Sequence, residues 1–283
     1  MKPLSPDELR ALISLLDEDN PSTLKQVVGD LKRALRAQPD QIEAVIPSLD
    51  LASTRRVMSI VEDVRWDGLE DRFHRFAGKD KPDVSLEEGV YWLATFAYPK
   101  LKPSDVAAPL DEMAADLSRI ISGRERPLEV VHLLNDYLFV LKGFKGNSSN
   151  YHDPDNSYFN RVLERKLGIP ITLSILYLLV AKRLALPAAG IGLPGHFIVQ
   201  FQAPNQRLYL DPFRSGKILS VADCQELLRS QNLSYDRKYF RPVTNRAILA
   251  RVMANLIHIY TDRADHRKTD RLGKLFSLFQ EED

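Results

Sequence analysis

The sequence predicts an α+β chain in three parts. A helical module covers residues 1–80, and a mixed core over 85–243 packs a small antiparallel sheet on a buried helix. A helical pair over 244–283 closes the chain. Three observations carry this reading. Up to residue 141 the apolar residues recur almost throughout at helical spacing. Residues 170–180 are apolar nearly all round, the mark of a helix wrapped by other helices or by a sheet. Past Leu186-Pro187 the period changes to two, and two short runs flank Ala203-Pro-Asn-Gln206 as a strand, a turn and a partner strand.

Composition narrows the function classes. The chain has 283 residues, 44% apolar and 27% charged, enough length for two or three modules. The net charge of +1 announces neither a nucleic-acid footprint nor an acidic tail. Residues 1–150 carry 20 Lys/Arg against 25 Asp/Glu and the remainder 19 against 13, an asymmetry that a solvated face accounts for. The single cysteine, Cys224, excludes an internal disulfide and a thiolate metal cage, and fits a reducing cytoplasm. The N-terminus lacks the apolar core of a signal peptide. The stretch 167–181 is too short to span a bilayer and is closed by Lys182-Arg183. Neither nucleic acid nor membrane is expected as a partner.

Ser5-Pro-Asp-Glu8 opens a first helix, with Pro6 at a position that needs no N–H. Leu9, Leu12, Ile13 and Leu16 form its stripe. Pro21 starts a second helix with Leu24, Val27, Val28, Leu31 and Leu35, and short helices are expected over 42–49 and 52–64. Consecutive helices that cannot bury their stripes alone resemble a HEAT-type pair. Ser85-Leu-Glu-Glu88 reads as a capping box for a helix that stops before Pro99. Pro103 leads into a helix to Ile121, and Pro127 into one whose stripe is Val130, Val131, Leu134, Leu138 and Leu141, with Gly143 past its end. His132 beside that stripe reads as an ordinary core or surface histidine.

Residues 143–157 turn polar and are rich in Gly, Asn and Ser, an irregular loop longer than a usual connection. A short helix, 158–166, follows and Gly168 breaks it. Pro170 then opens the apolar helix. His196, Ile198 and Gln200 share one strand face. An even-length turn pairs Ile198 with Asp211 and makes His196 and Asp211 diagonal neighbours; an odd one separates them. Residues 221–230 form a short helix containing Cys224. Ile248, Val252, Leu256, Ile259 and Tyr260 stripe the next helix, and His266–Phe279 the last.

Six blocks resemble a known family. They are Leu-Asn-Asp-Tyr-Leu-Phe139, Gly-Phe-Lys-Gly-Asn147, Asn-Ser-Tyr-Phe-Asn-Arg-Val-Leu-Glu-Arg-Lys166, Gly-Ile-Pro-Ile-Thr-Leu-Ser174, Leu-Pro-Gly-His-Phe197 and Asp-Pro-Phe213. In this order, over residues 85–245, they resemble the bacterial SirB family, whose transglutaminase-like core is commonly followed by tetratricopeptide repeats. The resemblance implies a papain-like fold with a cysteine at a helix N-terminus, then a histidine and an aspartate on successive strands. A helix N-terminus lowers a thiol pKa and offers N–H groups to an oxyanion. In active members Gly-Val-Cys precedes Leu-Gly-Ile-Pro. Here Gly168-Ile-Pro170 takes the first place and Leu184-Ala-Leu-Pro187 the second, so Pro170 stands where the cysteine belongs. His196 and Asp211 match the other two positions.

Proline has no nucleophile, and Cys224 follows the aspartate in another helix. Ser174 is the alternative hydroxyl, displaced by one turn, roughly 5–6 Å; a serine inside an apolar helix more often bonds its own i−4 carbonyl. The expected function is therefore a catalytically inactive transglutaminase-like protein, a cytoplasmic interaction or regulatory scaffold whose partner is another protein or a peptide. Its cleft is expected to draw on Asn147, Asn156, Thr172, Ser174, Gly195, His196 and Asp211. The alternative is an amide hydrolase or acyl transferase using His196, Asp211 and Ser174. No cofactor and no metal are expected, a metal on His196, Asp211 and His152 being the weaker thought. His196–Asp211 also reads simply as a hydrogen-bonded pair that stiffens the hairpin.

Overall fold

A computed structural model describes residues 4–78, 83–124, 126–203 and 207–280. The chain divides into two compact units, Met1–Arg72 and Phe73–Asp283. The expected boundary at residue 80 lies outside the described residues, as do Pro204, Asn205 and Gln206 of the expected turn.

The first unit is helical. It holds α1 (Pro6–Ser14), α2 (Pro21–Ala37), α3 (Pro39–Val45) and most of α4 (Leu51–Phe76). Proline opens α1, α2 and α3, where its fixed φ suits the first turn and its missing N–H costs nothing. The α1 cap is reciprocal: Glu8 N–H donates to Ser5 Oγ (3.3 Å) and Ser5 N–H to Glu8 Oε2 (2.7 Å). Leu9, Ile13, Val27, Leu31, Ile42 and Val57 share the core. The helix expected over 52–64 runs on to Phe76, because no proline interrupts it and Gly68 is tolerated inside it.

The second unit begins its helices with α5 (Leu86–Thr95), α6 (Pro103–Ile121) and α7 (Pro127–Asn135). The cap at Ser85 is half of the expected box. Ser85 accepts from Glu88 N–H at 3.3 Å, but the Glu88 carboxylate turns to Trp92 Nε1 at 3.2 Å. After α7 the helix widens into a π turn, Asp136–Leu141, closed by Lys142 N–H to the Tyr137 carbonyl at 2.8 Å. The widened turn breaks the expected stripe: Leu138 is buried, whereas Leu141 is 71% exposed.

β1 (Lys145–Gly146) then pairs in parallel with β2 (Leu167–Gly168), on either side of α8 (Phe159–Arg165). The helix ends at Lys166, which takes a left-handed φ of 57°, ahead of the expected break at Gly168. α9 (Pro170–Arg183) is buried from Pro170 to Ala181. Each buried Leu or Ile contributes on the order of 1.5–3 kcal/mol, so this helix anchors the unit. Its end is held by charge: Arg183 binds Glu87 through two N–H groups (2.8 and 2.9 Å) and Asp111 through Nε (2.6 Å).

The sheet is antiparallel, in the order β3 (Ala188–Ile191), β4 (Ile198–Gln202), β5 (Arg207–Asp211) and β6 (Lys217–Leu219). α9 packs on β3, on β4 and on the 3₁₀ turn Pro212–Arg214. α10 (Val221–Arg229) follows, then α11 (Asn245–Asp262) and α12 (His266–Ser277), which pack together. The start of α11 is capped from far away, Asn245 and Arg246 N–H donating to the Asp83 carboxylate at 3.0 and 3.1 Å. The molecule is thus mixed α+β, dominated by helix.

Candidate functional site

Asp211 ends β5 and immediately precedes a proline, a combination that favours a turn. Its side chain caps that turn: Oδ1 accepts from Phe213 N–H (3.1 Å) and Arg214 N–H (3.3 Å). The other oxygen, Oδ2, lies 2.9 Å from His196 Nε2. Asp211 is fully buried and His196 largely so. The pairing Val199↔Leu210 and Gln202↔Arg207 sets the register that brings the two residues together. His196 itself lies in the turn before β4, not on the strand, because Gly195 takes φ +69° and swings the backbone. With the carboxylate as acceptor, Nε2 donates and Nδ1 is left without a hydrogen-bond partner among the described residues.

Aromatic rings build the wall beside the imidazole. Phe213 meets His196 edge-on, with centroids 6.3 Å apart, and meets Tyr151 at 6.2 Å. Gly146 permits this: a Cβ there would sit 2.6 Å from the Phe213 ring. Neither ring was singled out in the sequence, where Tyr151 reads as one more loop residue. Asp-Pro-Phe was the available signal for Phe213.

The 146–157 loop is an ordered hydrogen-bonded knot. Asn147 N–H donates to the Gly168 carbonyl (2.9 Å), and its side-chain amide to Asn156 Oδ1 (3.0 Å). Asn156 Nδ2 donates to the Asn150 carbonyl at 2.7 Å. Thr172 Oγ1 donates to the Asn156 carbonyl (2.7 Å) and accepts from Ile169 N–H (3.1 Å). Asn147, Asn156 and Thr172, expected around the cleft, are buried and bound to the loop and to the start of α9. They fix the loop's shape. Arg161 (3.0 Å) and Arg165 (3.3 Å) hold Asp155, and Arg165 holds Asp153 at 2.8 Å, so the loop's acids are balanced from α8.

Pro170 occupies the first position of α9 and is buried. The N–H groups of Ile171 and Thr172 lie outside the helical ladder, as those of any first turn do. Ser174 Oγ is fully buried and has no hydrogen-bond partner among the described residues, His196 included. Tyr177 OH, one turn on, is buried and likewise has none among them. Cys224 is buried in α10, and burial pushes its thiol up to about 11, the opposite of what a nucleophile needs. The structure therefore joins His196, Asp211 and Phe213 beside the loop, and among the described residues no nucleophilic side chain is hydrogen-bonded to the imidazole. His152 is exposed and lies against His258.

Residues 104–254 match the sequence profile of the transglutaminase-like superfamily. The chain belongs to that superfamily. A UPF0162 protein of Xylella fastidiosa strain Temecula1 is 40% identical over 152 residues, which cover 50% of this chain and 54% of that one. The UPF0162 protein PA3419 of Pseudomonas aeruginosa is 26% identical over 184 residues, 62% of this chain and 65% of that protein. Mouse F-box only protein 21 is 31% identical over 150 residues, 50% of this chain and 23% of that protein. The chain spans about half the length of the bacterial relative from Xylella. No solved structure matches at a significant level. The transglutaminase-like region begins inside α6 and ends inside α11, so it contains the loop, α9, the sheet and the His196–Asp211 pair. Among the described residues no helix is long and apolar enough to cross a membrane.

Proposed function

We propose that this chain is a catalytically inert transglutaminase-like module that binds a protein segment or peptide in the cytoplasm. One observation carries the reading. Pro170 stands at the start of α9, and the nearest hydroxyls on that helix, Thr172 and Ser174, are buried, the first bound to the loop and the second without a partner among the described residues. A triad needs a nucleophile in contact with its base, and His196 touches none among the described residues. What the pair offers is a fixed imidazole with an open Nδ1, beside the Phe213 and Tyr151 rings. Such a surface suits an extended segment with an amide or hydroxyl group. The F-box relative carries a similar region as about a quarter of a longer chain, which fits its use as a module. The six blocks that resemble SirB-type proteins fit a regulatory part.

The test separates binding from turnover. The full chain is assayed for amide hydrolysis and for amine transfer to a glutamine peptide, with the His196→Ala variant alongside. In parallel, both proteins are probed on a peptide array. The expected result is no turnover in either protein and peptide spots that weaken in His196→Ala. Turnover by the parent that disappears in His196→Ala would instead establish the hydrolase or acyl-transferase alternative.

A further inference from the structure

We propose that His152, His258 and Asp262 form a site for a divalent late first-row transition-metal ion, with Zn²⁺ as the type case. One ligand atom from each of the three residues lies within 4.8 Å of the others. His258 and Asp262 are four apart on α11 and so share one helix face, their Nε2 and Oδ2 atoms 3.6 Å apart. His152 comes from the 146–157 loop, its ring 5.7 Å from that of His258, centroid to centroid.

The donor set decides the class of ion. Two imidazoles and one carboxylate suit zinc, iron, nickel or copper, whereas calcium and magnesium call for oxygen ligands. Three protein ligands with open positions are the usual complement of a reactive or exchangeable zinc site. With metal–ligand bonds near 2.0–2.1 Å, neighbouring donors on a tetrahedron stand about 3.3 Å apart. The trio must therefore close by roughly 1.5 Å at its widest, which rotation of exposed side chains supplies. The donors are free to do so. His152 makes only ring contacts with Tyr151 and His258, and Asp262 pairs only with His258, among the described residues. Arg263, next to Asp262 in the chain, is engaged with the His152 carbonyl at 3.4 Å.

The site has a consequence for the surroundings of His196. His152 adjoins Tyr151, whose ring packs on Phe213, which packs on His196. A bound ion would tie the loop to α11 and hold that aromatic wall in place. It would also raise the stability of the folded chain, since it binds the native arrangement and not the open one.

Tag-free full chain, stripped with EDTA, is titrated with ZnCl₂ by calorimetry and followed by thermal melting. A single saturable site and a raised Tm are expected. Outer-shell partners alone are commonly worth 10–100-fold in metal affinity, so loss of a ligand, in His152→Ala or His258→Ala, should weaken binding by at least about tenfold. Both positions are exposed, so the variants should keep the parental fold, and His258→Gln serves as a second check. Cys224→Ser should bind as the parent does. Absence of saturable binding overturns the proposal. So does binding that survives the His152→Ala/His258→Ala double substitution, which would place the ion elsewhere.

Discussion

Asp211 and Ser174 are both fully buried, yet among the described residues Asp211 takes part in three hydrogen bonds and the Ser174 hydroxyl in none. The contrast extends to their surroundings. Around Asp211 the hairpin, the Pro212–Arg214 turn and His196 form one hydrogen-bonded unit, whose carboxylate would be required even if no reaction took place. Around Ser174 the helix is buried from Ile171 through Ala181 and mostly apolar, and its hydroxyl is an unpaid desolvation cost. The half of the site that resembles acid–base machinery is thus also a structural cap. The half that would supply a nucleophile is core. A His–Asp pair alone is weak evidence of catalysis when the aspartate has a second task.

The largest effect should come from Asp211→Ala. It leaves two backbone N–H groups and an imidazole nitrogen without their acceptor at a largely buried position, a loss of about 3 kcal/mol. Urea denaturation measures it. A loss below about 1 kcal/mol would mean that the carboxylate does not cap the Pro212–Arg214 turn. A second, intermediate test restores a nucleophile. Pro170→Cys should create a thiol at the start of α9, a buried position, whose thiolate absorbance in the ultraviolet appears at a lower pH than that of Cys224, because a helix N-terminus favours thiolate. Burial raises the Cys224 thiol to about 11, so Cys224 serves as an internal control that ionises only as the pH climbs toward that value. Ionisation of both thiols in that same high range would break the match between Pro170 and the family's cysteine position. The smallest effect belongs to Ser174→Ala, which removes an unpaired hydroxyl. Stability should stay within about 0.5 kcal/mol of the parent or rise. A marked loss would show that the hydroxyl has a partner after all.

Much of this site could be read before the fold. The continuous apolar run after Pro170 foretold a buried helix, and alternation from His196 to Phe213 foretold a hairpin. The meeting of His196 with Asp211 hung on whether the turn was even, and the pairing of Gln202 with Arg207 makes it so. Other features left no periodic trace. β1 and β2 are two residues each, too short for an alternation to register, and they pair across the whole loop. β6 follows the Asp-Pro-Phe turn with only three residues. The polar loop stands out by its composition, yet composition does not tell an asparagine facing a ligand from Asn156 serving the backbone. Only the tertiary partners, Thr172 and the carbonyl of Asn150, distinguish them.

The π turn after α7 bears on how this chain tolerates changes in length. Tyr137 and Lys142 are five apart, and on an ordinary α-helix residues at that spacing point about 140° away from each other. Here the Lys142 ammonium lies 5.4 Å from the centre of the Tyr137 ring, and both side chains reach Asp116 of α6, Tyr137 by a 2.6 Å hydrogen bond and Lys142 at 3.6 Å. Deleting one residue between them would leave a spacing of four, which an ordinary α-helix also places on one face. The segment therefore behaves as an absorbed insertion: the surplus residue is taken up within one turn, Val140 and Leu141 are carried into solvent, and the clasp on α6 stays closed.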